Sequence, residues 1–294
     1  MCGIVGLHLR DPELYPRLGR LLTGMLCEME DRGADSAGVA VYGDPVWSPP
    51  GHATVSLLGS TAPADVLGAD LGVEVAVLEA DSTCVVHAPV AVEALLAAVR
   101  RAVPDALVAG FGAEVTVLKG VGHPRRLAAA FGLERAQGWQ GVGHTRMATE
   151  SAVTPSGAHP YAVGPDQCLV HNGSFANYAT IRRELRARGA VFDSENDTEV
   201  AARYVAQALA GGADIQTVLK NLCVDFDGFY TLLVSNRDSF AVVRDAIACK
   251  PAVIAETAGW VAMASEYRAL VGLPGVEHAR IFEPEPERIY AWTR

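Results

Sequence analysis

Met1-Cys2-Gly3-Ile4-Val5-Gly6-Leu7-His8-Leu9 decides how the rest of the chain is read. Residues 3–9 have the apolar, unbroken composition of a short buried strand. Directly before that strand stands a cysteine in second position. Methionine aminopeptidases remove Met when the adjacent side chain is small, so Cys2 is expected to become the mature N-terminus. One residue then carries both a thiol and a free α-amine. An unperturbed α-amine, with a pKa of roughly 8, accepts a proton near neutrality and can act as general base toward its own side chain. A thiol needs less activation than a hydroxyl, because part of it is already ionised at neutral pH. Cysteine in second position also occurs without catalytic meaning, so the assignment depends on motifs elsewhere in the chain.

Further along stand Arg32-Gly33-Ala34-Asp35-Ser36-Ala37-Gly38, Gly143-His144-Thr145-Arg146-Met147-Ala148-Thr149, His171-Asn172-Gly173 and Asn196-Asp197-Thr198-Glu199. Arg244-Asp245 with Lys250-Pro251, then Ala264-Ser265-Glu266, come late in the chain. In this order the motifs resemble the class II glutamine amidotransferases, which are N-terminal nucleophile hydrolases. The resemblance covers most of 1–43 and 139–270. It implies an α+β fold, the four-layer αββα sandwich, with Cys2 at the end of a central strand. One amidotransferase domain would then span 2–294, with a small α/β insertion at about 44–138.

The resemblance also implies roles. Cys2 is the nucleophile that attacks the side-chain amide of glutamine to give a γ-glutamyl thioester and ammonia. The Asn172 side-chain amide and the Gly173 backbone N–H form the oxyanion hole, whose donors are each worth about 10²–10³ in rate. Arg146 clamps the substrate carboxylate through its planar fork. Thr149 adds a hydroxyl donor, and Asp197 meets the α-ammonium. Each has a plainer reading. Asn-Gly is a common turn dipeptide, and Asp197 reads equally as the N-cap of the helix that starts there. Glycine at 173 suits a backbone that must approach substrate with no Cβ in the way. With the Cys2 amine as base, His144, His159 and His171 are expected to be structural, while Arg32 and Asp35 brace the site. His8, His52, His87, His123 and His278 have no partner spacing.

Composition excludes several classes. The chain has 294 residues, half of them hydrophobic, enough for a large core. A net charge of −10, with no basic run, argues against a nucleic-acid binder. No apolar run approaches the ~20 residues of a membrane helix, and the start lacks the charged region of a secretory signal, so a cytoplasmic location is expected. The six cysteines show no metal-binding spacing, and Cys27, Cys84, Cys168, Cys223 and Cys249 are expected to be buried thiols. No glycine-rich phosphate loop is present. No cofactor is expected in this chain.

Helical spacing of Leu14, Leu18, Leu21, Leu22, Met25, Leu26 and Met29 predicts an amphipathic helix ending near Arg32-Gly33. Residues 37–42 read as a strand, and Pro45, Pro49, Pro50 and Gly51 then mark a boundary. Within the insertion, 73–78, 83–87 and 113–118 read as strands, and 92–103 and 125–131 as helices. Strands come next at 141–148 and 167–171. Asn177 is the expected N-cap of a helix over 178–188, and further helices are expected at 198–210 and 215–224. Short strands are expected at 229–235, 240–244, 252–255 and 260–264. The apolar Ile289-Tyr290-Ala291-Trp292 is expected to form an edge strand or a docking surface.

Met147 stands where many relatives have an aromatic residue, and Glu150 where the sugar-phosphate-forming branch has histidine. Thr149-Glu150-Ser151 and Glu195-Asn196-Asp197 look more like the amidotransferase chains of split glutamate synthases and of N-methylglutamate synthase. That branch implies L-glutamine as substrate and ammonia delivered to separate synthase subunits, which carry FMN and iron–sulfur clusters. A free-standing hydrolase of another γ-glutamyl amide is the alternative.

Overall fold

The computed structural model describes residues 1–147 and 153–294. Strands and helices are numbered in chain order. The larger sheet has seven strands, all antiparallel to their neighbours, in the order β14 (Arg280–Phe282), β12 (Val253–Glu256), β13 (Trp260–Ala264), β1 (Gly3–Leu9), β8 (Gln140–Arg146), β2 (Ser36–Tyr42), β7 (Val115–Val121). A second sheet runs β15 (Tyr290–Thr293), β11 (Ser239–Arg244), β10 (Gly228–Asn236), β9 (Gln167–Phe175). A third runs β4 (Ala76–Ala80), β5 (Thr83–Ala88), β3 (Ala53–Leu58), β6 (Leu107–Gly112).

Strand β1 is buried along its whole length because both of its faces are covered. Val5, Leu7 and Leu9 point to one core, which α1 (Leu18–Cys27) and α4 (Pro124–Phe131) close with Leu18, Leu22, Leu26, Leu127 and Phe131. Ile4 points the other way, into the core between the two sheets, with Val142, Val170, Leu233, Phe240 and Met263. Beyond the second sheet, α5 (Tyr178–Ala187), α6 (Asp197–Ala210) and α7 (Ile215–Asp225) cover Phe175, Tyr230, Leu232 and Val234. The order is therefore helix, sheet, sheet, helix, the expected αββα sandwich.

Between the sheets the fit is close. A Cβ on Gly6 would lie 2.8 Å from the Phe240 ring and 3.0 Å from Leu233. Polar side chains pin the layers together. Gln140 Nε2 donates to the Asn236 carbonyl at 2.9 Å, while its Oε1 accepts from His8 Nδ1 at 2.8 Å. Tyr42 lies 3.0 Å from Ser235 Oγ, oxygen to oxygen. His8, for which the sequence offers no partner, is thus part of an intersheet bridge. Burial pushes its pKa down despite the bond to Gln140.

The 44–138 stretch divides in two. The third sheet, with α2 (Ala64–Leu71) and α3 (Val92–Ala102), forms a module with its own core around Val55, Leu57, Leu67, Val86, Leu95 and Val99. Strand β7 and α4 belong instead to the sandwich. The module's side chains satisfy the outer edge of β7: Val117 N donates to Ser56 Oγ at 3.1 Å, Lys119 N donates to Thr83 Oγ1 at 3.2 Å, and Ser82 Oγ donates to the Lys119 carbonyl at 3.0 Å. Hydroxyls close an edge that would otherwise be open to strand addition.

Smaller expectations also change. Strands β3 and β6 and helix α2 were not expected. The predicted first helix opens as 3-10 turns at Pro12–Arg17, where Pro16 denies a backbone donor. Asn177 sits at the start of α5 but caps no turn of it; its amide donates to the Asp225 carbonyl and accepts from Asp227 N. Cys249 is exposed and Cys223 half-buried, against the expected burial, while Cys27, Cys84 and Cys168 are buried. The apolar C-terminal residues form an edge strand, β15 on β11.

Candidate active site

The intersheet core turns polar at one end. Along β8 the residues facing the second sheet run Val142, His144, Arg146; from β9 come Val170 and Asn172; after β13 comes Ser265. His144, Arg146, Asn172 and Ser265 are all buried. They gather around Cys2, which immediately precedes β1.

Cys2 is held by its carbonyl. Arg32 Nε donates to that oxygen at 2.8 Å and Asn172 Nδ2 at 3.0 Å. Arg32 is itself fixed by a 2.7 Å ion pair with Glu266. Ser265 Oγ accepts from Ile4 N at 2.9 Å and from Asn172 Nδ2 at 3.2 Å. The late Ala264-Ser265-Glu266 motif therefore works on the first residues of the chain. The Cys2 thiol lies 3.7 Å from the Met147 carbonyl, and the Met1 ammonium 3.1 Å from the Met147 sulfur.

Cys2, Arg146, Gly173 and Asp197 line one cleft of about 810 Å³. Asn172 meets it through its contact with Cys2. Thr149, with Glu150 and Ser151 beside it, lies outside the described residues. Gly173 has φ +144°, and a Cβ there would come within 2.0 Å of the Phe229 carbonyl oxygen. The neighbouring strand by itself demands glycine at this position. Asp197 is the first residue of α6, and the N-cap is Asn196, whose Oδ1 accepts from Thr198 N at 2.9 Å. Asp197 Oδ2 accepts from Phe175 N at 2.9 Å, which ties the start of α6 to β9.

Three buried histidines stand at the cleft, with His159 and His171 in its lining and His144 behind them. His144 Nε2 lies 3.2 Å from both the His171 carbonyl and Asn172 Oδ1. His159 packs against it with ring centroids 4.0 Å apart. His171 Nδ1 lies 2.9 Å from Thr198 Oγ1. Desolvation lowers the pKa of His144 to about 3 and of His171 to about 4, with Asp197 opposing the second shift. It drives His159 well below its usual value too. Burial thus disfavours the charged form of all three.

The opposite wall is a braced loop. Glu199, almost fully buried, accepts from Asp193 N at 2.9 Å and Ser194 N at 2.7 Å, and pairs with Arg203 at 2.8 Å. Sequence reasoning missed Phe229, Tyr178 and Lys250 as cleft residues. Lys250 Nζ lies 5.1 Å above the Phe229 ring. The Lys250-Pro251 pair in the sequence was the available signal. Among the described residues no group of three or more His, Cys, Asp or Glu is placed to hold a metal ion, and no helix is long and apolar enough to cross a membrane.

A model of the glutamine amidotransferase domain matches residues 144–272. The glutamine amidotransferase-like protein GlxB of Rhizobium meliloti (strain 1021) is 48% identical, over 99% of this chain and 98% of its own length. The chain belongs to the glutamine amidotransferase family. A putative glutamine amidotransferase of Methanothermobacter thermautotrophicus is 28% identical over 99% of both chains. Among solved structures, the glutamine phosphoribosylpyrophosphate amidotransferase of B. subtilis superposes with a TM-score of 0.62 at 18% identity. It shares the fold. That match covers 99% of this amidotransferase but only 49% of the other chain, so this chain spans about half its length. The amidotransferase is accordingly an enzyme, and the arrangement around Cys2 is where its chemistry is to be sought.

Proposed function

We propose that this amidotransferase hydrolyses glutamine through a Cys2 thioester and passes the ammonia to a separate synthase subunit. The observation that carries the first half is convergence. A thiol, a clamping guanidinium, a carboxylate and a Cβ-free backbone from four distant motifs line one cleft.

While Met1 is attached, the Cys2 nitrogen is a peptide amide with no basicity. Removing Met1 turns it into an amine that takes the thiol proton. Cys2 Sγ then attacks the side-chain carbonyl carbon of glutamine and an oxyanion forms. The Asn172 N–H that reaches the Cys2 carbonyl is shared with that oxyanion, together with Gly173 N–H. The ammonium of Cys2 returns the proton to the amide nitrogen, the C–N bond breaks and ammonia leaves. Water, deprotonated by the same amine, cleaves the thioester to glutamate and regenerates the thiol. Arg146 holds the substrate carboxylate and Asp197 its ammonium, with Thr149 as a further donor to the head group.

The second half rests on resemblance to the amidotransferase chains of split glutamate synthases and N-methylglutamate synthase. FMN and iron–sulfur clusters would lie on the partner, which would reduce an imine formed from a 2-oxo acid.

The first test is alkylation by 6-diazo-5-oxonorleucine, read by intact and peptide mass. The expected result is loss of Met1 and a single adduct on Cys2, blocked by excess glutamine. Retained Met1, or no adduct with copurifying chains present, would reject the N-terminal nucleophile. The partner is tested by copurification from the native host; a chain that turns glutamine over rapidly and purifies alone would favour the free-standing hydrolase.

A further inference from the structure

We infer that His144 is a positioning residue that fixes which end of the Asn172 amide faces Cys2. The inference rests on the reading of Asn172 as an oxyanion donor and adds what makes it a donor. The two ends of a carboxamide have the same shape and opposite polarity. An oxyanion hole works with the NH₂ end inward and is abolished by a flip that presents the oxygen.

The surroundings of His144 admit one orientation. Its Nε2 lies 3.2 Å from the His171 carbonyl and 3.2 Å from Asn172 Oδ1. A backbone carbonyl only accepts, so Nε2 carries the proton and donates to both oxygens. A neutral ring has one proton, which leaves Nδ1 bare. Nδ1 is buried and has no hydrogen-bond partner among the described residues, as that tautomer allows. The ring cannot readily turn over, because it is fully buried and packed on His159.

With its oxygen held by His144, Asn172 directs Nδ2 to two acceptors, the Cys2 carbonyl at 3.0 Å and Ser265 Oγ at 3.2 Å. The reversed amide would set its oxygen against the Cys2 carbonyl oxygen and its N–H against the N–H of His144. Both contacts would repel. The proton on His144 is therefore read out, through Asn172, as the polarity of the surface facing the Cys2 thiol.

The test is steady-state glutamine turnover by the enzyme as isolated from its host with any copurifying chains, Met1 loss being checked by mass. Asn172→Ala should lower kcat by about 10²–10³. His144→Phe, which removes the donor and keeps a ring, should lower kcat by about 10–10² with KM changed less than about twofold. His144→Gln, which can place an N–H near the Nε2 position, should recover most of that loss. In the double variant His144→Phe/Asn172→Ala, kcat should fall no further than in Asn172→Ala alone, because His144 acts only through Asn172.

Multiplicative losses in the double variant, or a raised KM with unchanged kcat, would overturn the inference and leave His144 a packing residue. An unchanged kcat in Asn172→Ala would instead remove the oxyanion assignment beneath it. Thermal melts of each variant separate lost activity from lost fold. If His144→Phe does not fold, His144→Leu against His144→Gln carries the same contrast.

Discussion

The cleft and the 53–112 module bury side chains of opposite character. Around the cleft the buried residues include Arg32, His144, Arg146, His159, His171, Asn172 and Glu199. The module's core is Val, Leu, Ala and one thiol, and its buried polar residues are Thr54, Ser56 and Thr83. Burying charge and imidazole costs stability unless every group finds a partner. Burying leucine contributes stability. The amidotransferase therefore concentrates its chemistry where folding gains least, and braces it with a module that gains without chemistry.

Substitution of Cys2 is the sharpest way to separate the two. Cys2→Ala should lower glutamine turnover by at least about 10³-fold with a melting temperature shifted by little, since the side chain packs against no core. Residual turnover near wild type would break the comparison outright. On the other side, Leu95→Ala, in the middle of the module's core, should cost about 2–5 kcal/mol of stability in urea titrations. Its kcat and KM should match wild type wherever the chain is folded. A changed KM would show that the module shapes the cleft.

Arg146 gives a smaller and more selective effect. Arg146→Lys keeps the charge and loses the two-pronged geometry, so KM for glutamine should rise about tenfold or more. An unchanged KM would move the carboxylate clamp elsewhere, with Lys250 the next cation on the cleft wall.

A further effect is in pH. His144 and His171 have folded pKa values of about 3 and about 4, and His159 lies well below 6.5, the ordinary value that the unfolded chain regains. As pH falls through 6.5 the unfolded chain takes up protons the folded chain refuses. Their contribution is thus full above that value and is lost on the way down, at about 1.4 kcal/mol per pH unit for each strongly shifted imidazole. Urea midpoints at pH 7, 6 and 5 should fall accordingly. His159→Phe should make the decline shallower, and an unchanged slope would show that other groups bind the protons.

The same contrast explains what could be read from sequence. The cleft was legible because its residues are chemically unusual and closely spaced: Cys2, Arg146, Asn172-Gly173 and Asp197 announce themselves. The strands around them were legible from alternation and apolar runs. Partnerships over long separations were not. Nothing local says that Ser265 accepts from Ile4, that Glu266 fixes Arg32, or that His8 meets Gln140. At Gly173 the obstacle to a side chain is a carbonyl on β10, visible only once the strands are paired. In the module, β3 and β6 escaped because Ala, Gly and Ser dilute their pattern, and α2 because Gly68 and two aspartates weaken its helical signal.

The close approach of the sheets at Gly6 has a mechanical meaning. Cys2 is anchored to one layer, Asn172 and Gly173 to the other, so the gap between layers is also the distance across which the thiol must work. The spacing acts as a caliper. A single methyl at Gly6, touching neither substrate nor any catalytic group, would wedge the jaws apart by pressing on Phe240. Such a variant would lose rate through misalignment alone, and hydrostatic pressure, which favours the narrower gap, should restore part of it.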